Sequence, residues 1–163
     1  KSLLDRDVRL SLDATALVNY ILPLLSGKNV VITPHAGEFK KMFGEAPPDS
    51  KKARITMVEK FAKDHSITIL LKGPTDIISN GTKTYINPTN TPGMTVGGTG
   101  DILSGIIAGM LARNRNTLES AVISAYFNGL AGKSTQKKLG SHMTATDLLD
   151  ALPGVMKSFD KIK

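Results

Sequence analysis

The chain has 163 residues, 40% hydrophobic and 21% charged, the balance of a single globular domain and not of a disordered segment. It contains no Cys and no Trp, which excludes a disulfide framework and a cysteine-based metal or redox site. Twenty-one Lys and Arg against fourteen Asp and Glu leave a net charge of +7, which favours anionic partners such as phosphates and nucleotides.

In chain order, Val8 to Asp13 reads as a strand, and Ala14 to Ser26 has helical spacing that stops at Gly27. Asn29 to Thr33 is a short apolar strand, and Pro34 suits the first position of a following helix. After the turn-rich EAPPDS, Lys51 to His65 places Ile55, Val58, Phe61 and Ala62 on one helical face. ITILLK (67–72) is a continuous apolar run, the pattern of a strand buried on both faces of a sheet. Asn80-Gly81 between two strand-like runs signals a hairpin. The long NPTNTPGMTVGGTG (87–100) has the length of a functional loop. Helices follow over Asp101 to Arg113, Thr117 to about Lys137 and Thr144 to Leu152, then a weaker terminal stretch. Thr144 and Asp147 have the spacing of a capping box. This alternation predicts an α/β domain with a mostly parallel sheet, its first three strands adjacent and helices on both faces.

Lys51, Lys52, Lys60, Lys63, Lys137 and Lys138 read as solvated helix positions. No Arg-rich tract or aromatic-interleaved basic stripe accompanies them, so nucleic acid is not an expected partner. No apolar run approaches the ~18 residues of a membrane span, and the opening KSLLDRDVRL has no signal-peptide core. The expected location is the cytoplasm, with no membrane partner.

Chemistry concentrates in three loops. Gly97-Gly98-Thr99-Gly100-Asp101 precedes the small, apolar helix ILSGIIAGMLA, which reads as buried nearly all round. Glycines let successive N–H groups converge, and the helix start adds unpaired donors and the positive end of a dipole. The result is a site for phosphate or a developing anion. Asp101 in the first turn is an ordinary helix-start residue, but a carboxylate beside an anion turn is also what phosphoryl transfer to an alcohol requires. The second loop, Thr33-Pro34-His35-Ala36-Gly37-Glu38, reads as a capped helix start with Thr33 as N-cap, which leaves His35 and Gly37 unexplained. The third, Leu71-Lys72-Gly73-Pro74-Thr75-Asp76, closes the buried strand. GLAGKS (129–134) is no P-loop, because Phe127 stands where the motif needs Gly and the segment lies in a helical pattern. GGTGD is no dinucleotide fingerprint, because Leu103 stands at the third glycine position.

Together SLDATAL (11–17), TPHAGEF (33–39), LKGPTDII (71–78), TPGMTVGGTGDILSGIIAGMLA (91–112), NGLAG (128–132) and TATDLL (144–149) resemble the NAD(P)H-hydrate dehydratase family of the ribokinase-like superfamily. That resemblance implies a ribokinase-like three-layer sandwich and the repair of 6-hydroxylated NADH or NADPH, with ADP or ATP as co-substrate and Mg2+. It further implies that Asp101 is the base contacting the hydrate's hydroxyl and that His35 contacts the hydrated cofactor. Lys72, Gly73, Pro74, Thr75, Asp76 and Gly100 would contact the adenine nucleotide, with Gly97, Gly98, Thr99 and Gly100 as the anion turn. Glu38 would organise magnesium and its waters indirectly.

Family members are longer before SLDATAL. Residues 1–163 are therefore expected to be the C-terminal portion of one catalytic domain, packed through a large apolar interface on its N-terminal portion and assembled as a homo-oligomer. A small-molecule kinase of the same superfamily shares the anion turn and base. A non-catalytic basic module binding nucleotides or nucleic acid would share only the charge.

Overall fold

The computed structural model describes residues 5–6, 8–113 and 116–160. Five short strands form one sheet in sequence order: β1 (Leu10–Leu12), β2 (Val30–Ile32), β3 (Thr68–Leu71), β4 (Asp76–Ser79) and β5 (Thr84–Asn87). β1, β2 and β3 run parallel, while β4 and β5 add an antiparallel hairpin. The strands predicted as the first three are thus neighbours.

Six helices accompany them: α1 (Leu22–Leu25), α2 (Ala36–Phe43), α3 (Lys51–His65), α4 (Thr99–Ala112), α5 (Thr117–Leu139) and α6 (Ala145–Lys157). Successive strand side chains point to opposite faces, and this period divides the core in two. Val30, Ile32, Ile69, Leu71 and Ile77 pack with Leu25, Phe39, Met42, Val58 and Phe61 of α1, α2 and α3. Val31, Leu70 and Ile78 pack on the other face with Leu103, Ile107 and Leu111 of α4 and Leu118, Ala121 and Ala125 of α5. All four residues of β3 are buried, as its unbroken apolar run requires. α6 lies outside α5 through Phe127, Ala131, Leu148 and Leu152.

Three expectations change. Residues 14–26 do not form one helix: 3-10 turns over Ala14–Ala16 and Asn19–Ile21 precede the single turn of α1. Pro23 lacks an N–H and clashes with the carbonyl four residues back, which disfavours a helix running through it and suits one that begins beside it. α6 absorbs the weaker terminal stretch and continues past Pro153, with Leu148 and Leu152 anchoring it. α4 is not buried all round, because Gly105, Ala108, Gly109 and Ala112 form an exposed small-residue face. The hairpin forms where Asn80-Gly81 predicted, although its loop spans residues 80–83. Asn80 Oδ1 closes that loop by accepting the N–H groups of Thr82 at 3.0 Å and Lys83 at 2.9 Å. The Thr144–Asp147 capping box is present.

Candidate active site at the strand ends

Each parallel strand is followed at once by a polar residue: Asp13 after β1, Thr33-Pro34-His35 before α2, and Lys72 after β3. Pairing continues past the strands, since Thr33 N–H donates to Leu12 O at 3.1 Å and Lys72 N–H to Pro34 O at 2.8 Å. Backbone bonds thereby hold Asp13, His35 and Lys72 in register. Ligands bind at such strand ends because the following helices present unpaired N–H groups there.

Lys72 Nζ donates to Asp13 Oδ1 at 2.8 Å and lies 3.6 Å from Glu38 Oε2. The Asp13 and Lys72 side chains are only 9% and 20% exposed, so their attraction is screened less than on an open surface. Glu38 Oε2 also accepts the His35 N–H at 2.8 Å, while His35 Nδ1 accepts the Gly37 and Glu38 N–H groups at 3.0 and 3.2 Å. His35, not Thr33, is therefore the N-cap of α2. Thr33 is buried in the sheet with its hydroxyl donating to Leu12 O at 3.3 Å, and the carbonyl of Pro34 serves Lys72, so the helix starts beyond both. With Nδ1 accepting, the neutral imidazole carries its proton on Nε2, on a side chain that is 60% exposed.

Gly98 caps the start of α4 with a φ of +94°, which a side chain would strain. Thr99 Oγ1 donates to Met94 O at 2.8 Å and Val96 O at 3.1 Å, tying the incoming loop beneath the helix end. A Cβ on Gly100 would come within 3.2 Å of Lys72 Nζ and 3.3 Å of Asp13 Oδ2, so glycine lets this ion pair sit against the helix start. The unpaired first N–H groups of α4 and the Lys72 ammonium, itself paired with Asp13 and near Glu38, meet at one point.

Two recesses adjoin that point. The larger, about 660 Å³, is lined by His35, Lys72, Gly73, Pro74, Asp76, Thr99 and Gly100 of the predicted set, and by Asn90, Met94, Val96, Leu103 and Asn128. The smaller, about 370 Å³, is lined by Ser11, Asp13, Ala14, Asp101 and Ser104 among others. His35 thus shares the Lys72 recess, while Asp101 faces the other. Thr75, Gly97, Gly98 and Glu38 line neither.

Asp76 is 3% exposed and holds the loop walls together. Its carboxylate accepts from Gly73 N–H at 3.1 Å, Asn90 Nδ2 at 2.8 Å and Asn87 Nδ2 at 3.0 Å. Burial pushes its carboxyl above the ordinary range, against the opposing pull of those hydrogen bonds and the nearby Lys72 charge. Asn87 Nδ2 also reaches Ala125 O at 3.0 Å, which fastens the end of β5 to α5.

Among the described residues no three His, Cys, Asp or Glu side chains come together as a metal-ligand cluster. Magnesium, however, usually keeps several waters and takes phosphate oxygens as ligands. The single carboxylate of Glu38, beside Lys72, fits an indirect contact to an ion carried by a nucleotide.

The residues that sequence reasoning missed are Asp13, Asn87, Asn90 and Asn128. Asp13 was legible as an acid closing a strand, and Asn87 and Asn90 lie in the long loop already marked as functional. Asn128 opens the NGLAG segment of the resemblance, but in the middle of a helix it was given no role.

A parallel-sheet sandwich with a glycine-led helix start at its strand ends defines a ribokinase-like α/β protein. In agreement, a ribokinase-like superfamily protein from Enterococcus faecalis superposes with TM-score 0.73 at 28% identity over 92% of this chain and 52% of that one. The model of the NAD(P)H-hydrate dehydratase family matches residues 1–154, and the chain belongs to that family. It is 64% identical over 162 residues to the ADP-dependent (S)-NAD(P)H-hydrate dehydratase of Nitrosopumilus maritimus, covering 99% of this chain and 56% of that protein. The Bacillus subtilis ADP/ATP-dependent NAD(P)H-hydrate dehydratase co-crystallised with ATP/Mg2+ superposes with TM-score 0.86 at 30% identity, over 97% of this chain and 57% of that one. The chain spans little more than half the length of these relatives.

Proposed function

We propose that this chain takes part in nucleotide-dependent dehydration of hydrated NADH or NADPH, with the nucleotide in the larger recess and the hydrated ring in the smaller. The observation that carries the reading is the junction itself: Gly100 lines one recess and Asp101 the other, across the Lys72–Asp13 pair. The first N–H groups of α4 and the Lys72 ammonium hold the phosphoryl group being transferred, and Gly73 and Pro74, in one loop with Thr75, line the nucleotide side. Asp76 acts by fixing that loop. Asp101 accepts the proton of the ring hydroxyl as its oxygen attacks the terminal phosphorus of ADP or ATP. Phosphate then leaves with the C–O electron pair, driven by the ring nitrogen, and loss of the neighbouring proton restores the dihydropyridine. His35 lines the larger recess with its Nε2 3.6 Å from Glu38 Oε1, so a contact with the hydrated cofactor would be made from the nucleotide side, across the Lys72–Asp13 pair. A magnesium ion bound with the nucleotide would neutralise phosphate charge, with Glu38 contacting its water shell.

On this reading residues 1–163 are the C-terminal portion of one catalytic domain. The exposed face of α4 and the edge strand β1, both beside the smaller recess, are where the N-terminal portion of the same domain would complete the hydrate site. The test is a native preparation supplied with hydrated NADH or NADPH, Mg2+ and ADP or ATP. Regained dihydropyridine absorbance with one phosphate released per turnover is expected. A stable phosphorylated product without that absorbance would overturn the dehydratase reading in favour of a kinase.

A further inference from the structure

We propose that Asp13 is a second catalytic carboxylate, which takes the proton from the ring carbon next to the hydroxyl-bearing one; the inference rests on the dehydratase reading above. Dehydration by that route moves protons at two different atoms. Asp101 takes the hydroxyl proton and returns it to the phosphate oxygen as the C–O bond breaks, so hydrogen phosphate leaves with the electron pair. The nitrogen lone pair meanwhile makes the ring an iminium. Only when the neighbouring C–H bond breaks is the dihydropyridine restored: its electron pair forms the C=C bond and nitrogen regains its own. That proton needs a base beside the carbon. Without one, water adds back to the iminium and the phosphoryl transfer is wasted.

Asp13 answers this description. It lines the smaller recess together with Asp101, where the hydrated ring is placed. Its Oδ1 accepts from Lys72 Nζ at 2.8 Å, whereas Oδ2 accepts no hydrogen bond among the described residues. Oδ2 lies against the start of α4, 3.3 Å from where a Cβ on Gly100 would stand, one residue before Asp101. The two carboxylates therefore come to the recess from different elements, the end of β1 and the first turn of α4. The hydroxyl oxygen and the neighbouring carbon are bonded to the same ring atom, so one ring can meet both groups.

The placement of Asp13 is over-determined. Lys72 holds one carboxylate oxygen and so orients the other. The hydroxyls of Ser11 and Ser104, 2.9 Å apart in the same recess, tie β1 to α4 and fix the spacing of the two acids. Ala14, directly after Asp13, has a φ of +52°, in the left-handed region that alanine seldom enters. Strain of this kind collects where the position of a functional group requires it.

The experiment follows phosphate release and dihydropyridine absorbance together, with hydrated NADH, Mg2+ and ADP or ATP, in the native preparation, Asp13→Asn and Lys72→Gln. Binding of a fluorescent ADP analogue reports that each variant is folded. The native protein is expected to release one phosphate per dihydropyridine. Asp13→Asn should lower dihydropyridine formation by about 10² to 10⁴, the usual worth of a positioned base, and phosphate release by less. The ratio of phosphate to dihydropyridine then rises above one, and deuterium on the neighbouring ring carbon should raise it further. Lys72→Gln loses a phosphate contact and not the base, so both signals should slow with the ratio still at one. In the native protein a fixed base should remove the hydrogen from one face of the ring only, which a substrate deuterated on a single face reads without any variant. A ratio that stays at one in Asp13→Asn, or loss of hydrogen from both faces in the native protein, would overturn the assignment and leave the dehydratase reading standing. A native preparation that yields no dihydropyridine would overturn that reading with it.

Discussion

The two recesses beside the Lys72–Asp13 pair are walled differently. The larger is enclosed by the loop after β3, the segment after β5, α4 and α5, and its walls are cross-tied by Asp76, Asn87 and Asn90. The smaller is a shallow surface between residues 11–16 and the exposed small side chains of α4. On the proposed reading, one side of the reaction is built wholly from this chain and the other offers a base and a floor. The contrast teaches that a buried polar network, more than apolar contact, gives a loop-built pocket its shape.

The largest expected effect falls on the shallow side. Asp101→Asn keeps the shape but cannot take the hydroxyl proton, so turnover should fall by about 10² to 10⁴ while the fluorescent ADP analogue still binds. Near-native turnover in an active preparation would remove Asp101 as the base.

On the enclosed side, Asp76→Ala leaves the Gly73 N–H and the amides of Asn87 and Asn90 without their acceptor. Unfolding free energy should drop by on the order of 1–3 kcal/mol, with weaker nucleotide binding. The pH dependence gives an independent check. Burial raises the folded-state value of this carboxyl, so its contribution to stability is full below the ordinary carboxylate value and is lost as pH rises through the raised one. Denaturant titrations across that window should show the decline in the native protein and not in Asp76→Ala; equal slopes would exonerate Asp76.

Gly129→Ala drives a methyl group into Thr89. Overpacking of this kind costs about 1–3 kcal/mol, and here it should also shift the loop that walls the nucleotide recess. Thermal unfolding together with the affinity for ADP reads both, and a variant that loses neither would show that the loop is free to move away.

The smallest effect lies outside both recesses. Hydrogen bonds from the Thr144 side chain and backbone hold the exposed Asp147 carboxyl below its ordinary value. Its support of α6 is present above the unfolded-state value and fades as pH falls through the lowered one, so Asp147→Asn should flatten the acid side of the stability curve slightly. An unchanged acid limb would mean that the capping box contributes nothing measurable.

Much of this was legible in the residues themselves. Period-two and unbroken apolar runs located the strands, and Ser50 and Ser66 bound α3 at the predicted Lys51–His65. Asn80-Gly81 marked the hairpin because few residues other than glycine accept the φ of +84° found at Gly81. The GGTGD turn announced a helix start because the glycine preference for positive φ acts within a few residues. Where the reading failed, one competing effect was local but weighed too lightly, Pro23 against a helical spacing, and the other was strand pairing with Leu12, which took Thr33 from its role as a cap.

The sequence by itself determined the α/β class and the glycine-led helix start with a carboxylate in its first turn, since each depends on conformational preferences and periodicity within one short segment. Tertiary structure alone decided that Asp13, Glu38 and Lys72 form one charged chain, that His35 and Asp101 face different recesses, and that Asn128 ends beside the larger recess. Those are meetings of residues 25 to 59 positions apart or on separate helices, made by strand register and by the close approach that Gly100, Gly129 and Gly132 permit. No pattern within a window of sequence encodes such distances, because they follow from how whole elements pack.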